Sequence, residues 1–248
     1  MPVGKALRFE GTVGGNEFLR VDVQPANTPL GSATRSFCCM VKPTTVNGGI
    51  YYVIFSYGTW VATQSWQLHI GPTGKLTMTN QGTLIEAPSS LSVGVWHCII
   101  MTYNPANGAG LKYNLYVDNM VTPVVSGDMT TNTVLGRMHI AADVSDAGGG
   151  LSPLIGLIDE FRLYDKELSQ SERVAYWNNG VGLYGVSDVS NGVIAYHFDE
   201  LSGMAVPDYQ QLNNSGLLIN MEVDDLVVGI VRKPGSREGA LASMGVGG

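Results

Sequence analysis

Charge is scarce in this sequence. Only 14 % of its 248 residues are Asp, Glu, Lys or Arg, against about 25 % in an average domain. A surface so poor in charge is clothed in neutral polar groups or covered by partners. Fourteen Lys and Arg against 21 Asp and Glu leave a net charge of −7. No basic stripe is present, so nucleic acid is excluded as a partner. Cysteine is rarer still. Cys38 and Cys39 are adjacent and Cys98 is distant, which is no disulfide framework; in apolar runs such residues act as small hydrophobes. No apolar run approaches the ~20 residues that cross a membrane. The opening Met1-Pro2-Val3-Gly4-Lys5 lacks the apolar stretch of a secretory signal, so the expectation is synthesis and folding in a reducing host cytoplasm.

What is abundant is glycine, 32 residues, together with short apolar runs that Gly, Asn, Pro and Thr punctuate. In Phe18–Val23, Leu19, Val21 and Val23 share a face opposite Arg20 and Asp22, the period of a half-buried strand. Ser36–Val41 and Tyr51–Tyr57 are apolar on both faces and read as interior strands. Trp66–Ile70, Lys75–Thr79, Trp96–Tyr103, Lys112–Asp118, Val134–Ala141 and Leu154–Tyr164 follow. Many short strands with regular turns predict an all-β sandwich or barrel. One helix interrupts them. Ser169 as N-cap with Glu172 three residues on is a capping box, Val174 and Trp177 share a helical face, and Asn178-Asn179-Gly180 supplies the stop. After the helix, Val193–Phe198 and Gly216–Asn220 read as further strands. Leu226–Val231 is strongly β-branched with no polar face, and Gly235–Gly248 has the composition of a fraying tail.

Five segments, in order, resemble the laminin-G-like family of concanavalin A-like jelly rolls. They are Lys5–Gly11, Ser36–Pro43 (with Met40 where the family has Trp), Gly94–Tyr103, Leu115–Asn119 and Gly156–Tyr164 followed by the capped helix. The resemblance implies an antiparallel β-sandwich with one short helix. Its order then breaks. Ala195-Tyr196-His197-Phe198-Asp199-Glu200 resembles the segment that in the family precedes the strand beginning at Lys5, yet here it follows the helix. The expected organisation is a sandwich over 1–182, a circularly permuted segment over 183–220 that completes it in cis, and an assembly arm over 221–248.

Catalytic chemistry is not legible. Glycosidases of this fold need two carboxylates flanking one sugar, and Asp159 and Glu160, adjacent in a strand, point to opposite faces. Glu160 shares its face with Arg162, as an ion pair would. His69, His97, His139 and His197 lack the spacing of a metal site, so neither cofactor nor metal is expected; Asp118, Asp143 and Asp146 carry no EF-hand pattern, and a calcium ion held by their oxygens, as the resemblance allows between loops, stays the minor alternative. Gly148-Gly149-Gly150 has no phosphate-cradling lysine. Trp66 shares a face with Leu68 and Ile70 and belongs to the core. Trp60 alone among the tryptophans sits in a loop, where it could stack on a glycan.

With Asp159 and Glu160 on opposite faces, no enzymatic activity is expected. The resemblance leaves two functions open, because fold does not decide function. The leading expectation is a virion protein, a phage capsid decoration or cement subunit that contacts other protein subunits, in a homo-oligomer, through Leu226, Val227, Val228, Ile230 and Val231. The alternative is a carbohydrate-binding, lectin-like module using Trp60.

Overall fold

The computed structural model describes residues 3–10, 17–21, 25–46, 48–144, 152–178, 192–199, 204–208, 215–221 and 225–231. They form seventeen strands and one helix. Two sheets face each other in a sandwich, as the strand periodicity predicts. The first sheet runs in the order β10 (Val125–Gly127), β9 (Tyr113–Val117), β8 (His97–Tyr103), β3 (Arg35–Pro43), β13 (Gly156–Tyr164), β1 (Val3–Phe9) and β17 (Leu226–Val231), with β14 (Gly192–Tyr196) also on β13. The second runs β15 (Ala205–Val206), β16 (Gly216–Ile219), β2 (Phe18–Val21), β11 (Arg137–Ile140), β4 (Tyr52–Gly58), β5 (Ser65–Ile70), β6 (Lys75–Thr79) and β7 (Leu84–Ser90). β12 (Ser152–Pro153) adds to β4 in parallel.

Alternation along the central strands explains why several are apolar on both faces. In β3, Phe37, Cys39 and Val41 join the core between the sheets, where Phe37 stacks on Phe55 at 5.0 Å and Trp66 and Phe161 close the cluster. Cys38 and Met40 point the other way, into a second cluster with Cys98, Ile100, Tyr116, Tyr164 and Tyr176. That second cluster is roofed by α1 (Gln170–Trp177). All three cysteines are free and buried, and burial pushes the Cys38 thiol far above its ordinary range. A thiol held protonated is a poor nucleophile.

The capping box forms as read: Ser169 Oγ accepts from the Glu172 backbone N–H, and the Glu172 carboxylate accepts from the Ser169 N–H. The buried face of α1 differs from the expected one. Val174 is 40 % exposed and Trp177 only partly buried, whereas Arg173 and Tyr176 are buried. The reason is polar anchoring. The Arg173 guanidinium lies 4.0 Å over the Tyr116 ring and donates to the Met120 and Leu168 carbonyls, so a cation fills a place that hydrophobicity alone would have given to valine.

β13 also departs from strict alternation. Its register against β3 shifts between Asp159 and Arg162, and Glu160 takes a left-handed φ of 52°. Both carboxylates are buried as a result. Glu160 does pair with Arg162, at 3.1 Å. Its second partner was not foreseen: His197 Nδ1 lies 2.8 Å from Glu160 Oε2. The Glu160 carbonyl accepts from the Tyr176 hydroxyl at 2.5 Å, and Asp159 Oδ1 accepts from the Glu160 N–H.

The segments after the helix pair within the same chain. β14 takes the C-terminal half of β13, Phe161–Tyr164, while β1 takes Gly156–Ile158. With β3 along its other side, β13 thus has β14 and β1 end to end on one edge. The Lys5 N–H donates to Asp199 Oδ1 at 2.8 Å across the join. The segment that follows the helix in sequence occupies, in space, the place just ahead of β1. β16 pairs with β2 in the second sheet, and β17 pairs with β1, Leu226 opposite Leu7 and Val227 opposite Ala6. Gly148–Gly150, Asp146 and 232–248 lie outside the described residues, so the tail portion of the expected arm does too.

Removing one member of a buried ion pair leaves a charge stranded. Glu160→Gln is therefore expected to lower the unfolding free energy by about 3–5 kcal/mol, read as a shift of the urea midpoint. Glu86→Gln, which breaks the exposed Lys75–Glu86 pair, should cost less than about 1 kcal/mol.

Candidate functional site

The second sheet turns Trp66, Leu68, Ile70, Leu76 and Met78 into the core. Its opposite face therefore carries Ser65, Gln67 and His69 from β5 and Thr77 and Thr79 from β6. Register sets them side by side, Gln67 against Thr79 and His69 against Thr77. The polar side chains form a chain of hydrogen bonds. Gln67 Nε2 donates to Ser65 Oγ at 2.9 Å, Gln81 Nε2 donates to Gln67 Oε1 at 3.0 Å, and His69 Nε2 is 2.8 Å from the same oxygen.

Two loops raise walls over this floor. The β6–β7 turn is held by Asn80, whose Oδ1 accepts from the Gly82 and Thr83 N–H groups at 3.0 and 2.9 Å, a turn chemistry that Asn supplies locally. Gln81 adopts a left-handed φ of 68° there. The β4–β5 loop leans on that turn through Thr63 N–H to the Asn80 carbonyl at 2.8 Å. It carries Trp60, which is 44 % exposed. The result is a cleft of about 340 Å³ lined by Tyr51, Trp60, His69, Thr77, Thr79, Gln81, Gly82, Thr83 and Leu84. An exposed indole, an exposed Leu84 and a row of hydroxyls and amides are the mixture that concave small-molecule sites use.

Two groups in the floor stand out. Burial alone lowers the His69 pKa to about 3, because an imidazolium would lose its hydration there. The Thr77 hydroxyl is buried with no hydrogen-bond partner among the described residues.

Trp60, read from sequence as a loop aromatic, thus lines the cleft, with neighbours the sequence reading passed over. His69 was one of four scattered histidines; its alternation with Ser65 and Gln67 between Trp66, Leu68 and Ile70 was the available signal. The other sequence candidates are engaged in the scaffold. His97 Nδ1 bonds Asp118 Oδ2 at 2.7 Å, which raises the histidine pKa, and Asp118 Oδ1 accepts from Cys98 N–H. Among the described residues no group of three or more His, Cys, Asp or Glu converges. No described helix is long and apolar enough to cross a membrane. A second recess of about 160 Å³, lined by Arg20, Val21, Gly136 and Arg137, has the opposite, cationic character. Leu226, Val227, Val228, Ile230 and Val231 lie on β17, at the end of the first sheet's strand order and away from the cleft-forming second sheet.

A family model described as the concanavalin A-like lectin/glucanases superfamily, of laminin-G type, matches residues 19–172. Among solved structures, a protein from Bacteroides ovatus ATCC 8483, provisionally assigned as carbohydrate-binding, superposes with a TM-score of 0.68 at 14 % identity. It does so over 94 % of this chain and 61 % of its own, so this chain spans less than two thirds of that protein's length. A heptameric pentraxin from Limulus polyphemus superposes with a TM-score of 0.59 at 17 % identity, over 92 % of this chain and 96 % of its own. At such identities the likeness is one of fold. No functionally curated protein matches the sequence.

Because the His69 pKa is lowered from 6.5, the unfolded chain binds a proton there that the folded one refuses. The stability this protects is full above about pH 6.5 and is lost as pH falls toward 3. His139, also lowered by burial, works in the same direction, and His97 in the opposite one. His69→Gln is expected to flatten the acid side of the stability profile by up to about 1.4 kcal/mol per pH unit relative to the parent, measured as denaturant midpoints across that range.

Proposed function

This chain belongs to the concanavalin A-like lectin/glucanases superfamily, and we propose that it is a non-catalytic module that binds carbohydrate in the cleft walled by Trp60. The observation that carries the reading is an exposed indole beside a floor of neutral hydrogen-bonding groups in one concavity. A sugar has the matching duality. Its ring presents an apolar C–H face that an indole covers, and its hydroxyls ask for partners of the amide and hydroxyl kind. The provisional carbohydrate-binding assignment of the Bacteroides ovatus protein, with this fold over nearly the whole chain, supports the same choice.

Hydrolysis is disfavoured by the state of the only adjacent carboxylate pair in the family-like strand. Asp159 and Glu160 are sealed from solvent, and Glu160 is held by Arg162 and His197. A general acid and a nucleophile must face a substrate, with room for it between them. The virion-decoration reading takes Leu226–Val231 as its contact surface, and that segment is paired through its backbone with β1 of the same chain. Its remaining support is that β17 ends the described strand order of its sheet, where a further subunit could add. The cleft makes carbohydrate the stronger reading.

On a glycan array the intact chain is expected to bind at least one carbohydrate class, and Trp60→Ala should weaken that binding by at least about tenfold, as loss of a central aromatic anchor does. An intact, folded chain that binds no glycan overturns the proposal.

A further inference from the structure

The cleft floor holds an acceptor and a hydroxyl at opposed positions of the β5–β6 ladder, each without a partner among the described residues. Gln67 Oε1, already accepting from Gln81 Nε2, carries no hydrogen, so its 2.8 Å contact with His69 Nε2 places the imidazole proton on Nε2. The ring is neutral, and its Nδ1 therefore offers a lone pair, for which no partner exists among the described residues. Directly across the ladder, Thr77 Oγ1 is buried and equally unpartnered. Register opposition brings such side chains within about 5 Å at Cβ. A buried hydroxyl left unpaired is costly, and two neighbouring groups of complementary polarity make a notch shaped for one incoming O–H.

Glycine keeps this notch open. A Cβ at Gly71 would stand 3.0 Å from Thr77 Oγ1 and 3.5 Å from a Tyr51 ring carbon. Charge is absent from the lining: none of its nine residues is a carboxylate, lysine or arginine. The charged side chains flanking this row on β6 and β7 are Lys75 and Glu86, which neutralise each other at 3.2 Å. From β4 and its approach the neighbours are Val53 and the Tyr51 ring, 5.9 Å from the imidazole. An anionic ligand would lose its hydration here without gaining a cation.

Resting on the carbohydrate reading and narrowing it, we propose that the site selects an uncharged sugar, one hydroxyl of which donates to His69 Nδ1 and accepts from Thr77 Oγ1, turned toward the cleft by rotation about its Cα–Cβ bond, while the ring lies against Trp60. Since burial keeps His69 neutral until about pH 3, affinity is flat across mildly acidic and neutral conditions. Acidic glycans would instead need cations such as those of the separate Arg20–Arg137 recess.

Titration calorimetry on the full chain tests this, using neutral gluco-, galacto-, manno-, xylo- and arabino-oligosaccharides beside sialylated and uronate-containing ones, at about pH 5 and about pH 8. The expected result is binding of a neutral oligosaccharide with the same affinity at both pH values. Thr77→Val, close to isosteric, should weaken it about tenfold while the melting temperature holds or rises, because an unpaired buried hydroxyl has been removed. Should that variant melt lower, Gly71→Ala decides instead, by blocking the notch with the hydroxyl retained; undiminished affinity in a folded Gly71→Ala protein overturns the inference. So does full affinity in Thr77→Val, or a steep pH dependence. Binding only to acidic glycans, still lost in Trp60→Ala, overturns the neutral-sugar inference and leaves the carbohydrate reading standing. Binding to none of the sugars removes both.

Discussion

A carboxylate without exposure governs this sandwich. Glu160 sits at an irregular point of the central strand, between Arg162 and His197, with its own carbonyl taken by Tyr176. A charge moved out of water must be met on all sides, and meeting it here recruits three different parts of the chain. β13 supplies Arg162, the segment after β14 supplies His197, the helix supplies Tyr176, and Asp159 caps the Glu160 amide. The helix roof, the C-terminal strand and the first sheet are thereby held in one arrangement. The cleft on the far sheet inherits its rigidity from that body, since β4 and β5 pack their inner faces on Phe37 and Phe161.

The parts of the fold legible from sequence are those whose physics is local. The capping box needs only Ser169 and Glu172 at the right spacing, and the strand periodicities need only alternation. What escaped depends on partners far along the chain. No spacing announces that Glu160 will turn left-handed, because the bulge is set by the register of β3 against β13. Likewise Val174 looked like the buried helix position until Tyr116 offered a ring to Arg173. Hydropathy ranks side chains by their whole surface, and it misses a guanidinium that stacks on a ring and donates to two carbonyls.

The site was half legible. Trp60 was visible as a tryptophan among turn residues. His69 and Thr77 were not, because their meeting is a property of the β5–β6 register and of what burial does to each. A threonine in a strand is usually unremarkable. It becomes informative only when its hydroxyl is enclosed and nothing in the chain answers it. The scarcity of charge noted at the outset acquires a local meaning here, for the cleft is lined without a single carboxylate, lysine or arginine.

The end-to-end placement of β14 and β1 along β13 bears on how the chain reaches its fold. The pairs that complete this sheet join distant stretches: Arg8 contacts Asp225 across 217 residues of sequence. Contacts of such span must await the closing of very large loops. A ribosome-bound chain therefore carries β1 with its outer edge bare until β17 emerges, and for that interval the molecule is open to pairing with its own copies. Late closure of this edge is built into the topology itself.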